Sequence, residues 1–460
     1  MPMLTVQRSI IVRAALVISL PALVAGSGRA QTAFKTIYSF QGGSDGQAPN
    51  GVIFGKNGAL YGTTYRGGSS QCTNDNTWTQ PCGTVFELTG SGTSWTNHVL
   101  YEFEGASGGA FPDGPLVVDS GGTLYGTTLM EGRIEYGNGT VFSLTPPANP
   151  GGTWTEMLLY IFGKHEVPAG NSPFIPIGGV LPGPNGTLFG VTHYNYYNAI
   201  APPASGGAIF QLAPPTAPGG GWTERTLFGF LSSSSPGIDP VGSLITDGTV
   251  LYGTASAGGT AGCGAAYEAI PAAGPYTVES LHEFAGVPDG CGPYAALTLG
   301  PGGVLYGTTA NGGISAAPCP SNGCGVVFQL TPPASPGAAW TEQAIHRFIG
   351  FNGDGAFPYS VLVLGADGAL YGTTEGGGLV SGSNPACSVN GVAGCGTVFK
   401  MAPSGPGGAW VETVLHSFTD ENGEGADPAP YLTPGTSGSF YGTTFSGGAA
   451  GYGTAFEIKP

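Results

Sequence analysis

The chain has 460 residues, of which 85 are glycine, 39 are proline and only 9% are charged. Such a composition argues against amphipathic helices, which need a charged face, and favours strands joined by tight turns. The net charge of −16 excludes the basic surfaces that bind nucleic acid or anionic membranes, so neither is expected as a partner.

In residues 1–30, two arginines precede an apolar stretch, Ala14–Ala25, and small residues follow it up to Ala30. This order of segments is typical of a secretory signal peptide that is cleaved after Ala30. A membrane anchor is the alternative, but the stretch is short for a membrane span and contains Pro21. We therefore predict a secreted or periplasmic protein whose mature chain, 31–460, does not insert into a membrane.

One five-residue motif, LYGTT or a close variant, recurs seven times at spacings of 54 to 70 residues. A GTVF-like motif follows each copy, and a short apolar run precedes it. In six units a third motif, typically W-T-E-x-x-L-[YH]-x-F, follows a further turn. Each unit thus offers short apolar or alternating runs between turn residues, which predicts four strands. The LYGTT copies begin at Leu60, Leu124, Leu188, Leu251, Leu305, Leu370 and Phe440.

Seven units of four antiparallel strands predict an all-β fold, a seven-bladed β-propeller. Solenoid repeats are usually shorter, in the range of about 20–45 residues. The predicted units are 51–103, 115–162, 178–230, 241–284, 294–348, 359–418 and 431–460, the last of them completed by 33–40.

The seventh unit lacks the third motif, whereas Phe34–Phe40 matches that motif near the start of the mature chain. We expect this N-terminal strand to complete the last blade and close the ring, which removes exposed edges. In an alternative phase the N-terminal strand is innermost and every blade is contiguous. We prefer the first phase, because the longest link then runs from the outer strand of one blade to the inner strand of the next.

The pattern D/N-G-x-LYGTT-x-x-GG followed by GTVF-x-L resembles the Gloeobacter/Verrucomicrobium (GloVer) tandem repeat of choice-of-anchor bacterial proteins. The resemblance covers essentially the whole mature chain. It implies an exported repeat protein and brings no particular activity with it.

The eight cysteines fall into pairs within the predicted loops. An even number of cysteines in an exported chain predicts disulfides. Metal binding is the alternative, but the sequence lacks the paired C-x-x-C spacing that would support it. The predicted disulfides are Cys72–Cys82, Cys263–Cys291, Cys319–Cys324 and Cys387–Cys395.

The hairpin between the second and third strands and the loop that crosses to the next blade should emerge on the same face. Variable loops on a fixed scaffold are a usual place for binding sites. A tyrosine- and asparagine-rich loop suits stacking and hydrogen bonding to a sugar or peptide, although solvated loop tips are an equally good interpretation. The candidate ligand-binding residues are Trp78, His193, Tyr194, Asn195, Tyr196 and Tyr197.

Six crossing loops carry an acid, for which turn formation beside glycine or proline is the simplest interpretation. No cofactor is expected, with calcium as the one alternative. The best local case for calcium is the set Asp420, Asn422 and Glu424, which resembles half of a calcium loop but lacks its final glutamate. The loop acids are Asp45, Asp113, Asp239, Asp289, Asp354 and Asp427.

Three histidines, His282, His346 and His416, share a slot that holds tyrosine or phenylalanine in sister strands, so we interpret them as packing residues. No zinc-protease, phosphate-loop or nucleophile motif occurs in a supporting context. We therefore predict a non-catalytic, monomeric propeller that binds a glycan or an extracellular protein. The alternative hypothesis is a polysaccharide hydrolase or lyase that uses loop carboxylates around the propeller channel.

Overall fold

The computed structural model divides the chain into two units, Met1–Gln31 and Thr32–Pro460. The structure describes residues 32–460 apart from 75–77, 93, 106–107, 131–138, 150, 163–174, 194–205, 218, 231–235, 336, 381–386 and 406, and apart from the side chains of 73–79. The predicted signal peptide therefore lies outside the described residues.

The described residues form seven four-stranded antiparallel sheets arranged in a ring, so the prediction of a seven-bladed β-propeller is confirmed. The first strand of the chain, β1 (Ala33–Ser39), belongs to the last blade. Blade 1 contains β2 (Gln47–Phe54), β3 (Leu60–Arg66), the hairpin strands β4 (Gln71–Asn74) and β5 (Trp78–Pro81), β6 (Thr84–Ser91) and β7 (Ser94–Glu102). Blade 2 contains β8 (Ala110–Val118), β9 (Leu124–Met130), β10 (Thr140–Thr145) and β11 (Thr155–Ile161).

The next three blades repeat the same order of strands. Blade 3 contains β12 (Ile175–Pro182), β13 (Leu188–His193), β14 (Ala208–Ala213) and β15 (Thr223–Gly229). Blade 4 contains β16 (Ile238–Thr246), β17 (Leu251–Ala257), β18 (Ala265–Ile270) and β19 (Thr277–Glu283). Blade 5 contains β20 (Thr298–Leu299), β21 (Leu305–Thr309), β22 (Val326–Thr331) and β23 (Thr341–Arg347).

The last two blades have short additional strands. Blade 6 contains β24 (Gly355–Ala356), β25 (Val363–Leu364), β26 (Leu370–Thr374), β27 (Gly376–Gly377), β28 (Ser388–Val389), β29 (Val392–Ala393), β30 (Thr397–Pro403) and β31 (Trp410–Ser417). Blade 7 contains β32 (Ala426–Pro428), β33 (Thr433–Pro434), β34 (Phe440–Ser446) and β35 (Thr454–Lys459), and β1 is its fourth strand. Short 3-10 turns occupy Gly43–Asp45, Pro184–Gly186, Pro301–Gly303 and Thr436–Gly438.

The first strand of each blade lies next to the central axis, because first strands of successive blades touch one another. A Cβ built on Gly114 would lie 2.5 Å from the backbone of Gly178, and one on Gly178 would lie 2.8 Å from that of Gly242. Glycine is required at such a close backbone approach. The fourth strands, which carry the third motif, therefore form the outer rim.

Ring closure occurs as the preferred phase predicts. Strand β1 runs antiparallel to β35, with Ala33 opposite Lys459 and Ser39 opposite Thr454. The N–H of Phe40 then donates to the carbonyl of Gly453 at 3.0 Å. Because β1 pairs with the third strand of blade 7, it is the outer strand, and the alternative phase is wrong.

Each contact between blades is built from the two repeated aromatic positions. The last phenylalanine of the third motif packs against the aromatic residue of the next blade's GTVF motif, with ring centroids 4.9 to 5.4 Å apart. Such pairs contribute roughly 0.5–1.5 kcal/mol beyond the burial of their area. The pairs are Phe40–Phe86, Phe103–Phe142, Phe162–Phe210, Phe230–Tyr267, Phe284–Phe328, Phe348–Phe399 and Phe418–Phe456.

The glycine of each GTVF motif packs against a proline of the following blade, which we call the junction proline. A Cβ built on Gly83 would lie 2.5 Å from Pro112 Cδ, so a larger residue there would push the two blades apart. The seven pairs are Gly83–Pro112, Gly139–Pro176, Gly207–Pro240, Gly264–Pro293, Gly325–Pro358, Gly396–Pro428 and Gly453–Pro49. The last pair shows that the seventh junction is built like the other six.

The first threonine of LYGTT joins adjacent inner strands. At the closing junction, Thr443 Oγ1 donates to the carbonyl of Pro49 at 3.1 Å. In blade 3 valine replaces this threonine, and Ser243 Oγ of blade 4 instead accepts from the Gly179 N–H at 2.8 Å. The equivalent threonine bonds are Thr127–Gly178, Thr254–Ala295, Thr308–Ser360 and Thr373–Ala429.

All four predicted disulfides are present, namely Cys72–Cys82, Cys263–Cys291, Cys319–Cys324 and Cys387–Cys395. Three of them lie within the hairpins between second and third strands, and the fourth joins such a hairpin to a crossing loop. The described residues include no helix that is long and apolar enough to cross a membrane.

Candidate functional site

The residue that follows each junction proline is variable, in contrast to the repeat around it, and only blades 5 and 6 share the same residue type, tyrosine. These residues lie near the start of the inner strands. The ring is therefore symmetric in its backbone but asymmetric in its side chains near the axis. They are Asn50, Asp113, Ile177, Val241, Tyr294, Tyr359 and Ala429.

Asp113 lies close to the axis of the ring. The N–H groups of Gly178 and Gly114 donate hydrogen bonds to its carboxylate, yet burial is the larger effect and raises its pKa. After burial, the charge of Asp113 is the next cause that raises the pKa of Tyr65 in blade 1 and of Tyr431 in blade 7. Groups from blades 1, 3 and 7 can surround one carboxylate of blade 2 only near the centre of the ring.

Two tyrosines from adjacent blades lie together at the same level. The rings of Tyr294 and Tyr359 are 5.3 Å apart at an angle of 44°, and Tyr294 is 43% exposed. Burial, and then the charge of Glu375, raise the pKa of Tyr359 to about 12. The pKa of Glu375 is itself raised by burial and then by Asp427. An exposed aromatic face therefore stands beside a partly buried carboxyl group.

We call the set Tyr65, Asp113, Tyr294, Tyr359 and Glu375 the axial mouth. It opens on the face that carries the disulfides, because Tyr65 and Glu375 directly follow LYGTT and begin the hairpins that contain Cys72–Cys82 and Cys387–Cys395. Aromatic faces stack on the apolar faces of sugar rings, and carboxyl groups bond to hydroxyls. The site thus offers both elements of sugar recognition.

Tyr294, Tyr359 and Glu375 are not among the residues predicted from the sequence, whereas Asp113 was predicted to form a turn, with a carboxylate of the channel as the alternative. The two tyrosines are hard to single out in the sequence because aromatic residues recur throughout the repeat. The feature that marks this position is its variability, since the residue after an otherwise constant proline is of six different types in the seven blades.

Most of the predicted ligand-binding side chains lie outside the described residues. Trp78 begins β5, where its backbone pairs with Asn74, but its side chain is outside the described residues. His193 ends β13 opposite Ile175 and is half-buried. Tyr194, Asn195, Tyr196 and Tyr197 are outside the described residues, so their role in binding stays a prediction.

The predicted calcium ligands share one loop but face different partners. Glu424 accepts from the Thr419 N–H at 3.1 Å, and its other oxygen lies 3.0 Å from His416 Nε2. Asp420 has a raised pKa, first from burial and then from the nearby Asp427 and Glu424. Asn422 lies between them with a φ of 54°. The calcium site stays a prediction.

Three of the crossing-loop acids fold their own loops, as the turn interpretation predicts. Asp45, Asp289 and Asp354 accept hydrogen bonds from the backbone N–H groups of Gln41, Ala285 and Ile349. Each also binds a side chain of the preceding outer strand, which is Tyr38, His282 or His346. Because they lie toward the rim, they do not form a ring of carboxylates around the channel.

These features define a seven-bladed β-propeller with an asymmetric axial mouth. A family model described as the Gloeobacter/Verrucomicrobia repeat matches residues 27–174 and 164–384, which is more than half of the chain. The chain therefore belongs to this repeat family, as its motifs predict. No curated protein matches it in sequence.

Several solved structures are similar to the chain. A Hadza microbial sialidase is 12% identical with a TM-score of 0.40, over 90% of this chain and 65% of the sialidase, so the chain spans less than two thirds of its length. An endo-arabinase from Bacteroides thetaiotaomicron is 14% identical with a TM-score of 0.31, over 68% of this chain and 98% of that one. A glucose dehydrogenase is 12% identical with a TM-score of 0.39, over 93% and 99%. At these identities the likeness concerns the fold alone.

The prediction that the chain is not an enzyme is wrong. It is contradicted by the structural neighbours of the chain, which include glycoside hydrolases, among them the sialidase and the endo-arabinase. Nothing about this chain's own activity follows from those neighbours.

Proposed function

We propose that this protein is exported and binds a carbohydrate at the axial mouth. The observation that carries the proposal is the pair Tyr294 and Tyr359, which presents a partly exposed aromatic surface beside Glu375. Four disulfides fit an oxidising compartment outside the cytoplasm, where glycans are abundant.

The negative charge of the protein favours neutral over acidic glycans as ligands. The chain carries a net charge of −16, and Asp113 and Glu375 of the axial mouth are among its acidic residues. Negatively charged polysaccharides would be repelled by this field. We therefore expect a neutral glycan whose hydroxyls bond to the two carboxyl groups and whose ring stacks on Tyr294.

A second candidate function is hydrolysis of that glycan. The pKa values of Asp113 and Glu375 are both raised by burial, which favours a protonated carboxyl group closer to neutral pH. Cleavage of a glycosidic bond needs one carboxylic acid that donates a proton and a second carboxylate. The axial mouth contains residues for both roles.

The test is an array of neutral and acidic glycans, followed by calorimetry and by analysis of products on each glycan bound. We expect Tyr294→Ala to weaken binding of a neutral glycan about fivefold or more, since stacking on one aromatic side chain contributes on the order of 1 kcal/mol or more. The control is Tyr452→Ala, because Tyr452 is similarly exposed, at 41%, on a hairpin of blade 7.

Products that accumulate with the native protein and disappear with Asp113→Asn would establish hydrolysis. Binding without products would leave carbohydrate recognition as the function. Preference for acidic glycans, or equal binding by Tyr294→Ala and the native protein, would refute the proposed site.

A further inference from the structure

One histidine and two carboxylates converge at the rim where blade 4 meets blade 5. His282 lies on β19, Asp289 lies in the loop that crosses to blade 5, and Glu342 lies on β23. One nitrogen or oxygen from each lies within 4.8 Å of the other two, and all three residues are half-buried. Within the described part of the chain, this is the one place where three metal-binding side chains lie this close to one another.

The histidine and the aspartate are already held in position. His282 Nε2 lies 3.2 and 3.1 Å from the two carboxylate oxygens of Asp289. The N–H of Ala285 donates to Asp289 Oδ2 at 2.8 Å, and the ring of Phe284 packs edge-on against the imidazole at 4.8 Å. The disulfide Cys263–Cys291 anchors the loop two residues beyond Asp289.

Glu342 completes the cluster with an unsatisfied group. Its Oε1 is buried, and no donor among the described residues reaches it. Arg347 on the same strand donates through Nε to the carbonyl of Pro288. A buried carboxylate oxygen without a donor is costly, and the neighbouring Asp289 adds like-charge repulsion. A bound cation would remove both costs.

We propose that His282, Asp289 and Glu342 bind a divalent metal ion of the zinc class, which links blade 4 to blade 5. Zinc bonds of about 2.0–2.2 Å place tetrahedral ligand atoms roughly 3.4 Å apart, close to the spacing of His282 Nε2 and Asp289. An oxygen of Glu342 lies within 4.8 Å of both, so it would have to move closer to complete the set. Solvent takes the fourth position.

The ligand types select the ion. An imidazole nitrogen favours zinc over calcium and magnesium, which prefer ligand sets made of oxygen. Two carboxylates and a neutral imidazole balance the charge of a divalent ion. The site lies on the outer rim, so it is independent of the axial mouth and of what that mouth binds.

The chain supplies matched comparisons at two other junctions. His346, Asp354 and Glu412 occupy the same slots between blades 5 and 6, but His346 Nε2 lies 3.4 Å from Asp354 and the three groups do not converge as closely. Between blades 3 and 4 the corresponding residues are Phe228 and Val278. Phenylalanine is therefore a native occupant of the histidine slot.

The experiment is calorimetric titration of the full mature protein with zinc chloride after removal of metals by a chelator, with calcium chloride in parallel. We expect one zinc ion per chain and a melting temperature that rises with zinc concentration, because the ion binds only the folded state. Replacement of zinc by cobalt(II) should give a visible absorption band that reports the ligand set.

Glu342→Gln and His282→Phe should each weaken zinc binding at least tenfold, whereas the matched Glu412→Gln should leave it unchanged. Glutamine preserves the size of Glu342, so this variant decides the question even if His282→Phe unfolds. The proposal is overturned if no saturable zinc binding occurs. It is equally overturned if Glu342→Gln binds zinc like the native protein, or if Glu412→Gln weakens binding as much.

Discussion

The rings of Phe40 and Phe86 meet edge to face, 5.1 Å apart. Phe40 follows β1, which completes blade 7, and Phe86 lies on β6 in blade 1, so this contact lies across the junction that closes the ring. Its geometry matches the six junctions between consecutive blades. The ring is therefore closed by packing of the same kind that joins its other blades.

Phe40→Ala should destabilise the whole propeller. Phe40 is fully buried, and removal of a buried phenylalanine typically lowers the free energy of unfolding by about 3–5 kcal/mol. Chemical denaturation of the mature protein measures the loss. Phe351→Ala serves as the control, because Phe351 is 41% exposed. If both variants unfold at the same denaturant concentration, Phe40 does not stabilise the closing junction.

Gly83→Ala should separate steric from conformational effects at a junction. Both Gly83 and Gly58 have positive φ angles, of 101° and 77°, but a Cβ on Gly83 would meet Pro112 whereas one on Gly58 meets open space. Gly58→Ala should cost about 1 kcal/mol from backbone strain, and Gly83→Ala a further 1–3 kcal/mol from overpacking. Melting temperatures of the two variants test this order, and the reverse order would contradict it.

Glu412 should make stability depend on pH near neutrality. Burial, and then the charge of Asp354, raise its pKa from 4.5 to about 7, although His346 opposes the rise. The folded protein then retains a proton that the unfolded chain has lost. This contribution to stability is present below about pH 4.5 and disappears as the pH rises through 7.

Glu412→Gln should therefore raise the free energy of unfolding above pH 7 by about 1 kcal/mol, a value reduced because the group is partly exposed. At pH 4 the same substitution should leave the free energy of unfolding unchanged. Melting temperatures across that range provide the measurement, with the exposed Glu421→Gln as the control. A gain of equal size at both pH values would show that titration of Glu412 is not the cause.

The four disulfides should contribute unequally. Cys263–Cys291 closes a separation of 28 residues, whereas Cys319–Cys324 closes one of 5. In the chain-entropy estimate, the longer loop stabilises by about 1.5 kcal/mol more. Removal of each pair by double substitution with alanine, followed by chemical denaturation, compares them. Equal losses would mean that effects in the folded state outweigh chain entropy.

The sequence contains most of the information about the fold because the period is visible in it. LYGTT and GTVF mark the second and third strands of every blade, and the position of Phe34–Phe40 gives the closure. The cysteine pairing follows from the same frame, since each pair falls within one hairpin or between adjacent loops. Because the motifs occur seven times, these inferences do not depend on any single residue.

The sites are harder to predict, because they depend on residues that converge from different blades. Tyr294 and Tyr359 are 65 residues apart in the same register, yet only the ring brings them into contact. His282 was interpreted as a packing residue from its slot. Its position in the repeat does not reveal that Asp289 and Glu342, a residue of the next blade, lie close to its imidazole.

The pairing of β1 with β35 has a consequence for how the molecule is made. Strand β1 is synthesised long before its partner β35, so blade 7 stays incomplete until β35 has left the ribosome. During that interval the nascent chain presents open sheet edges, which are prone to aggregation. Such a protein should depend on a holding chaperone until β35 is available to pair with β1.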